Sequence, residues 1–576
     1  MNLVICNKRQ SVLDAKGHCL IMGGPGSGKT TLALLKAVRR IDEGLSPGQE
    51  VLFLSFSRAA VARIADAMKN HVSVDRQSTL AIHTFHSFFW HILKGHAYLL
   101  GAPRRLSILL AHDERAMCDG IERPNPKWAE WEAKRRELFH AEGLVCFDLF
   151  APMAAELMSR ATRIRDRVAS RYPLILVDEA QDTNDKQWEC MRLLAARSQV
   201  ICLADPNQMI YDFLPGVDPS RIAEIRKTLN PHEIDLQAEN HRSPETEIAI
   251  FAHDILMGRV RVTPYKGVSR QRFGPATDKR NKAIRSSIAI LAKRVEDETG
   301  VKPQSVALVA SYGSGVAIIS SALQLDRPIF HQVLFDEAFA LLSSRAAAFL
   351  LEPKDPSNHG EDVAALLDLA GAAFRAKGNK GATKLSARCS SYAARCRKGE
   401  VPKFKIAQAA SSLVASARDR TLTGDPRRDW VSVKQDLRQL GEKAFREMAS
   451  SLDYLVAFAR GHRISESLSA MWMEHGAYRD ARGALNEALA QDQLLSSGEP
   501  IHGIHVMNMH KCKGKQFDGV VLYRQQHHSP FVWRGEVAPY TRSRRLLQMA
   551  ITRAKFHVLI LDEASSDCPI MGPHNL

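Results

Sequence analysis

Short, uninterrupted apolar runs punctuate this chain, separated by segments where apolar residues return every three or four positions. Cys19-Leu20-Ile21-Met22, Val51-Leu52-Phe53-Leu54-Ser55-Phe56, Leu174-Ile175-Leu176-Val177 and Val200-Ile201-Cys202-Leu203 predict strands. So do Ser305-Val306-Ala307-Leu308-Val309, Gly503–Val506, Val520-Val521-Leu522 and Val558–Leu561. Runs that are too short for helices and apolar on both faces suit a parallel sheet covered on each side by helices. Helical periodicity marks Thr31 to Arg40 and Arg58 to Met68, and it dominates residues 86–171 and the Ala-rich stretch 335–495. Within these stretches, Trp128 and Trp131 lie one turn apart and read as packing residues. Phe445, Met448, Leu452, Leu455, Val456 and Ala459 form a stripe that reads as core. The order predicts an α/β fold of two nucleotide-fold cores, parallel sheets flanked by helices, each interrupted by a mainly helical insertion.

Composition narrows the class. A chain of 576 residues with 45% hydrophobic residues has material for several domains of ~150 residues each. No apolar run approaches the ~20 residues that span a bilayer. The first ten residues lack the apolar stretch of a secretion signal. The ten cysteines are scattered without a C-x-x-C pair, which argues against a zinc ribbon or disulfide framework and for a reduced, cytoplasmic setting. The formal net charge of +16 points to a polyanionic partner. It is concentrated: Arg259 to Arg294 holds eleven Lys/Arg and one acid, and Arg375 to Lys405 holds ten and one. Such runs also occur as plain solvated faces.

Two segments carry chemistry. Gly23-Gly24-Pro25-Gly26-Ser27-Gly28-Lys29-Thr30 fits G-x-x-x-x-G-K-[ST] and sits between a predicted strand and a predicted helix, the context this phosphate loop requires. Its glycines let backbone N–H groups close round phosphates, aided by the helix N-terminus at Thr31. Lys29 would reach the β- and γ-phosphates, and Thr30 would ligate Mg²⁺. The second segment is the strand Leu174–Val177, which ends in Asp178 and Glu179, where open α/β sheets place their ligands. Asp178 is suited to hold Mg²⁺, directly or through water, and Glu179 to polarise a water for attack on phosphorus. Hydrolysis of a nucleoside triphosphate is the expected reaction.

Further segments extend this reading into a resemblance. Asn7-Lys8-Arg9-Gln10, Ser55-Phe56-Ser57-Arg58-Ala59-Ala60, His83-Thr84-Phe85-His86-Ser87-Phe88 and Asp178-Glu179-Ala180-Gln181-Asp182-Thr183-Asn184 are followed in order by four more. These are Ala204-Asp205-Pro206-Asn207-Gln208-Met209-Ile210-Tyr211-Asp212-Phe213, Asn240-His241-Arg242-Ser243, His510-Lys511-Cys512-Lys513-Gly514-Lys515-Gln516-Phe517-Asp518 and Ala550-Ile551-Thr552-Arg553-Ala554-Lys555. The series resembles the ordered motifs of UvrD/Rep-type superfamily 1 DNA helicases over nearly the whole chain. The resemblance implies two RecA-like cores, 1–85 with 172–240 and 241–345 with 500–576, and helical insertions at 86–171 and 346–499.

It also implies roles. Gln10 would read adenine, His241 would stack on it, and Gln516 would hydrogen-bond the ribose. Gln208 would sense the γ-phosphate, while Arg242 and Arg553 would reach it from the second core. An arginine of this kind is worth ~10³–10⁵ in rate. Phe56, Phe85, Tyr211 and Phe213 would stack on bases of single-stranded DNA. Ser57, Arg58, Thr84, His86, His510 and Lys513 would contact phosphates or couple the two sites. The chain departs from the family pattern at His241, which replaces a tyrosine, at Leu214-Pro215, which replace Arg-Gly, at Lys515, which replaces a leucine, and at Gln516, which replaces a glutamate. It also ends soon after its last motif.

The expected function is thus ATP- and Mg²⁺-dependent translocation, 3′→5′ along single-stranded DNA, with unwinding of tailed duplexes. The alternative is a DNA-stimulated ATPase that acts, without processive unwinding, as a sensor or remodelling subunit for a partner nuclease in DNA repair or anti-phage defence. A scaffold with a degenerate ATPase, or a P-loop small-molecule kinase, accounts for fewer of the motifs.

Overall fold

The structure is a computed structural model. It describes residues 5–56, 58–71, 73–121, 125–210, 216–236, 242–325, 327–334, 338–377, 380–400, 402–439, 442–452, 463–494 and 502–571. Contacts divide the chain into two compact units: 1–99 with 150–334 and 495–576, and 100–149 with 335–494.

The strands in chain order are β1 (Cys19–Met22), β2 (Val51–Ser55), β3 (Leu80–Thr84), β4 (Ser107–Leu109), β5 (Leu144–Cys146), β6 (Leu174–Val177), β7 (Gln199–Ala204) and β8 (His232–Asp235). They continue as β9 (Val268–Phe273), β10 (Ser305–Ala310), β11 (Gln332–Leu334), β12 (Gly503–Asn508), β13 (Phe517–Arg524) and β14 (Ala554–Glu563). The first unit holds two six-stranded sheets, ordered β3-β2-β6-β7-β1-β8 and β11-β12-β10-β13-β14-β9. Every pairing in both is parallel. The inner strands β2, β6 and β10 are buried at every position, which is why their sequences run apolar without alternation. Each fully buried Leu, Ile or Val contributes ~1.5–3 kcal/mol. The edge strand β8 buries Ile234 alone and carries polar residues elsewhere. This is the expected fold: two α/β cores, each a parallel sheet flanked by helices.

Register positions the chemistry. Met22 lies beside Ala204 and Val177 beside Cys202, so β1, β6 and β7 end together at the carboxyl edge of the first sheet. Gly23, Asp178 and Asp205 are the next residues on those three strands. In the second sheet, β13 lies between β10 and β14, with Leu522 opposite both Val309 and Ile560. Ile210, just beyond β7, joins the apolar cluster under the second sheet with Phe517, Met549 and Phe251.

The second unit is helical apart from the β4–β5 pair. Its core joins Leu110 and Ala116 from the first helical stretch to Phe339, Phe374, Phe445 and Leu468 from the second. Asp113 pairs with Arg345, one contact being 2.6 Å, and Arg115 Nε donates to the Ala376 carbonyl at 2.7 Å. The two insertions, expected as separate elements, therefore share one hydrophobic core. Of the expected 86–171 stretch, residues 86–99 and 150–171 belong to the first unit. Trp131 is buried, as expected of a packing residue, and donates to Glu114 at 3.1 Å, while Trp128 is half-buried and donates to Glu132 on the surface at 3.1 Å. Phe445, Met448 and Leu452 are buried as the stripe predicted, while Leu455, Val456 and Ala459 lie outside the described residues. No described helix is long and apolar enough to cross a membrane.

Candidate active site

The chain leaves β1 at Met22 and turns through the glycine loop into the helix Lys29–Asp42. Gly26 and Gly28 take φ of 81° and 87°, backbone angles that strain any residue with a side chain. A Cβ on Gly23 would sit 2.5 Å from the Ser27 hydroxyl, so a side chain there would displace that hydroxyl. That hydroxyl is buried and has no hydrogen-bond partner among the described residues. The Lys29 ammonium donates to the carbonyls of Gly23 and Gly24, the latter at 3.2 Å. A tight loop whose Gly26 and Gly28 need left-handed angles, with an orphaned donor and a cation at its lip, fits a phosphate chain. The Thr30 hydroxyl and the Asp178 carboxylate are hard oxygen donors of the kind Mg²⁺ takes.

Asp178 is buried, held by its N–H to the Leu54 carbonyl at 2.8 Å and by Ser55 Oγ on its carboxylate at 3.3 Å. Glu179 follows in a left-handed conformation, φ 51°, unusual for glutamate and a mark of imposed geometry. The Gln181 amide donates to its Oε2 at 2.7 Å. Burial alone would raise the Glu179 pKa, but Lys513 and Lys29 outweigh it and hold the carboxyl down at about 2. Asp182 is pushed up by burial and by the Glu179 charge, although Lys513 pairs with it directly. Asp205 is also raised, chiefly by burial.

The second core enters here. Gln208 donates to Asp205 Oδ2 at 2.6 Å and accepts from Arg553 Nη2 at 2.8 Å. Arg553, 2% exposed, lies between the helix Thr541–Ile551 and β14, where it also bonds the Met549 carbonyl and the Thr552 hydroxyl. Arg242 Nη1 donates to the Thr552 carbonyl at 2.8 Å. With the Gln516 amide oxygen turned towards it, the same guanidinium bonds Gln516 at 3.1 and 3.2 Å. Lys29, Glu179, Gln208, Arg553, Arg242 and Gln516 thus belong to neighbouring parts of one cross-core polar network. Gln181, Asp182 and Asp205 are further members that the motifs contained but site reasoning did not select. Their signal was three polar residues set just beyond the apolar strands β6 and β7.

Other expected site residues sit differently. Gln10 is exposed, and its amide donates to Asp14 one turn on, at 3.1 Å. Phe85, expected to stack on bases, is 1% exposed and packs on Phe56 at 5.0 Å, so here it is a core ring; Phe56 is half-buried. Thr84 is buried as the cap of the helix Phe85–His96, accepting from Ser87 N at 3.1 Å, rather than presented to a phosphate. His86 rests edge-on to Phe150. His510 is partly buried, which lowers its pKa, with Arg542 and Lys513 adding to the effect. Lys513 is 4% exposed and faces carboxylates, not the surface that DNA contact was expected to require. Arg58 begins the helix Arg58–His71. Ser57, Tyr211, Phe213, Leu214, Pro215 and His241 lie outside the described residues. Within the basic runs, Arg261, Arg270, Arg272, Lys377 and Arg397 are engaged in ion pairs.

The model of the UvrD/REP helicase N-terminal domain matches residues 6–142 and 122–230 of this chain. Over residues 6–230 the chain is thus similar to the N-terminal domain of UvrD/REP helicases. A putative ATP-dependent DNA helicase, YjcD, of Bacillus subtilis is 22% identical over 607 residues, which cover 96% of this chain and 78% of that protein. DNA helicase II of Haemophilus influenzae is 27% identical over 41% of this chain and 38% of its own length. The ATP-dependent DNA helicase PcrA of Staphylococcus aureus is 24% identical over 43% and 39%. The family model lies on the first core and the first insertion, the segments that carry the phosphate loop, Glu179 and Gln208.

Proposed function

We propose that this chain is an ATP-dependent DNA helicase that moves 3′→5′ on single-stranded DNA. ATP hydrolysis would take place where the two cores meet. Lys29 would bind the β- and γ-phosphates, with Mg²⁺ held by Thr30 and Asp178 and neutralising phosphate charge when bound. Glu179, ionised at neutral pH, would accept a proton from the attacking water. Gln208 would carry the state of the γ-phosphate between the cores, and Arg242 and Arg553 would oppose its developing charge. The observation that supports this best is the buried Gln208–Arg553 bond, which ties the end of β7 to the segment before β14 at 2.8 Å. A bond of that kind makes hydrolysis and core movement one event, as a motor needs. The names of the relatives support DNA as the track; polarity rests on the family resemblance.

The test is ATP hydrolysis with and without single-stranded DNA, beside strand displacement on 3′- and 5′-tailed duplexes. Stimulation with displacement from the 3′ tail alone is expected. Stimulation without displacement on either substrate would instead favour a sensor or remodelling ATPase working with a partner.

A further inference from the structure

Lys513 stands out among the residues of the cross-core network because it belongs to the second core but is surrounded by the first. Its ammonium pairs with Asp182, lies 4.0 Å from Glu179 Oε2, and donates to the Gln208 backbone carbonyl at 3.0 Å. Asp182 is 1% exposed and Gln181 fully buried, so the cation is set in low-dielectric surroundings where such contacts are strong. The segment that carries it is rigidly anchored. Asn508 caps the short helix Met509–Cys512 through Lys511 N at 2.9 Å, and Met509 and Cys512 are buried under the second sheet. Gly514 then turns with φ of 77°, sending the chain into β13 and leaving Lys513 aimed at the first core. Any displacement of the second core must therefore carry this ammonium with it.

We propose that Lys513 is a positioning residue for hydrolysis, the cation through which the second core holds Glu179 and Gln208 of the first core in their working places. This rests on the ATPase reading above. It differs from the role of Arg553, which bonds the Gln208 side chain: Lys513 grips the Gln208 main chain and the Asp182–Glu179 turn, fixing the backbone from which both side chains project. A bland buried ion pair would support folding alone; a positioning residue also sets kcat.

The experiment measures DNA-stimulated ATP hydrolysis by the full chain carrying K513M, K513R, D182N or K513M/D182N. K513M should lose about a hundredfold in kcat, as misplacement of a catalytic group by about 1 Å does, with the KM for ATP little changed. K513R should recover part of that loss. K513M/D182N should be no slower than K513M, because the two side chains act as one unit. Wild-type kcat in K513M, or losses that multiply in the double variant, would overturn the proposal. K513M/D182N leaves neither partner as an unpaired charge, so its kcat decides the matter should K513M fail to fold, and a wild-type value there would overturn it equally. A wild-type chain without DNA-stimulated hydrolysis would instead overturn the ATPase reading, and this inference with it.

Discussion

Replacing Arg553 with alanine separates a catalytic role from a structural one, because the structure sets the size of each. The guanidinium bonds Gln208 Oε1 at 2.8 Å, the Met549 carbonyl at 2.8 Å and the Thr552 hydroxyl at 3.1 Å. The Met549 carbonyl keeps the Thr552 hydroxyl as a donor at 2.9 Å, so Gln208 Oε1 is the acceptor left without its partner. Orphaning one buried acceptor costs about 1–3 kcal/mol. An arginine that opposes charge on a transferring phosphoryl group is worth ~10³–10⁵ in rate, or about 4–7 kcal/mol at 1.36 kcal/mol per decade. R553A should therefore lose far more in kcat than in stability. Arg553→Lys keeps the charge but loses the forked geometry, and should fall between wild type and alanine. The assay pairs DNA-stimulated ATP turnover with thermal melting of the same preparations. Turnover within about tenfold of wild type in R553A would refute the reasoning. So would a loss that merely follows the unfolded fraction.

Four other outcomes are expected. Lys29→Ala should abolish hydrolysis, and Glu179→Gln should lower it by ~10²–10⁴ while ATP still binds, as filter binding would check. Leu110→Ala should destabilise the helical unit by about 2–5 kcal/mol, because Leu110 is 4% exposed in a core shared by both insertions; unchanged urea melting would contradict that core. His83 is pulled down to about 4 by burial and then by His91, from an ordinary value of 6.5. Between those limits the unfolded chain binds the extra proton, so stability should fall as pH drops through the window, by up to about 1.4 kcal/mol per pH unit. His83→Gln should flatten that slope in pH-dependent melting, and an unchanged slope would count against it. Single-stranded DNA affinity should fall steeply with salt, with a log–log slope of about −0.7 per phosphate contact, and a flat titration would argue against a basic track.

Much of this protein was legible from sequence because its signals are local. Buried parallel strands must be apolar on both faces, so Leu174–Val177 and Ser305–Val309 declared themselves. The glycine loop declared itself too, since Gly26 and Gly28 adopt angles other residues avoid. The resemblance to UvrD/Rep-type helicases followed from motif order, which needs no coordinates. Tertiary structure decided what depends on meetings between distant segments. Sequence could not say that Lys513 would be buried among carboxylates, because a lysine on a polar turn reads as a solvated cation until a second core covers it. Nor could it say that Phe85 would face Phe56 within the core, since an aromatic after a strand serves a core or a base equally well. The single core shared by the two insertions was hidden for the same reason: Leu110 and Phe374 are ordinary apolar residues, and only the fold determines which apolar surfaces exclude water together.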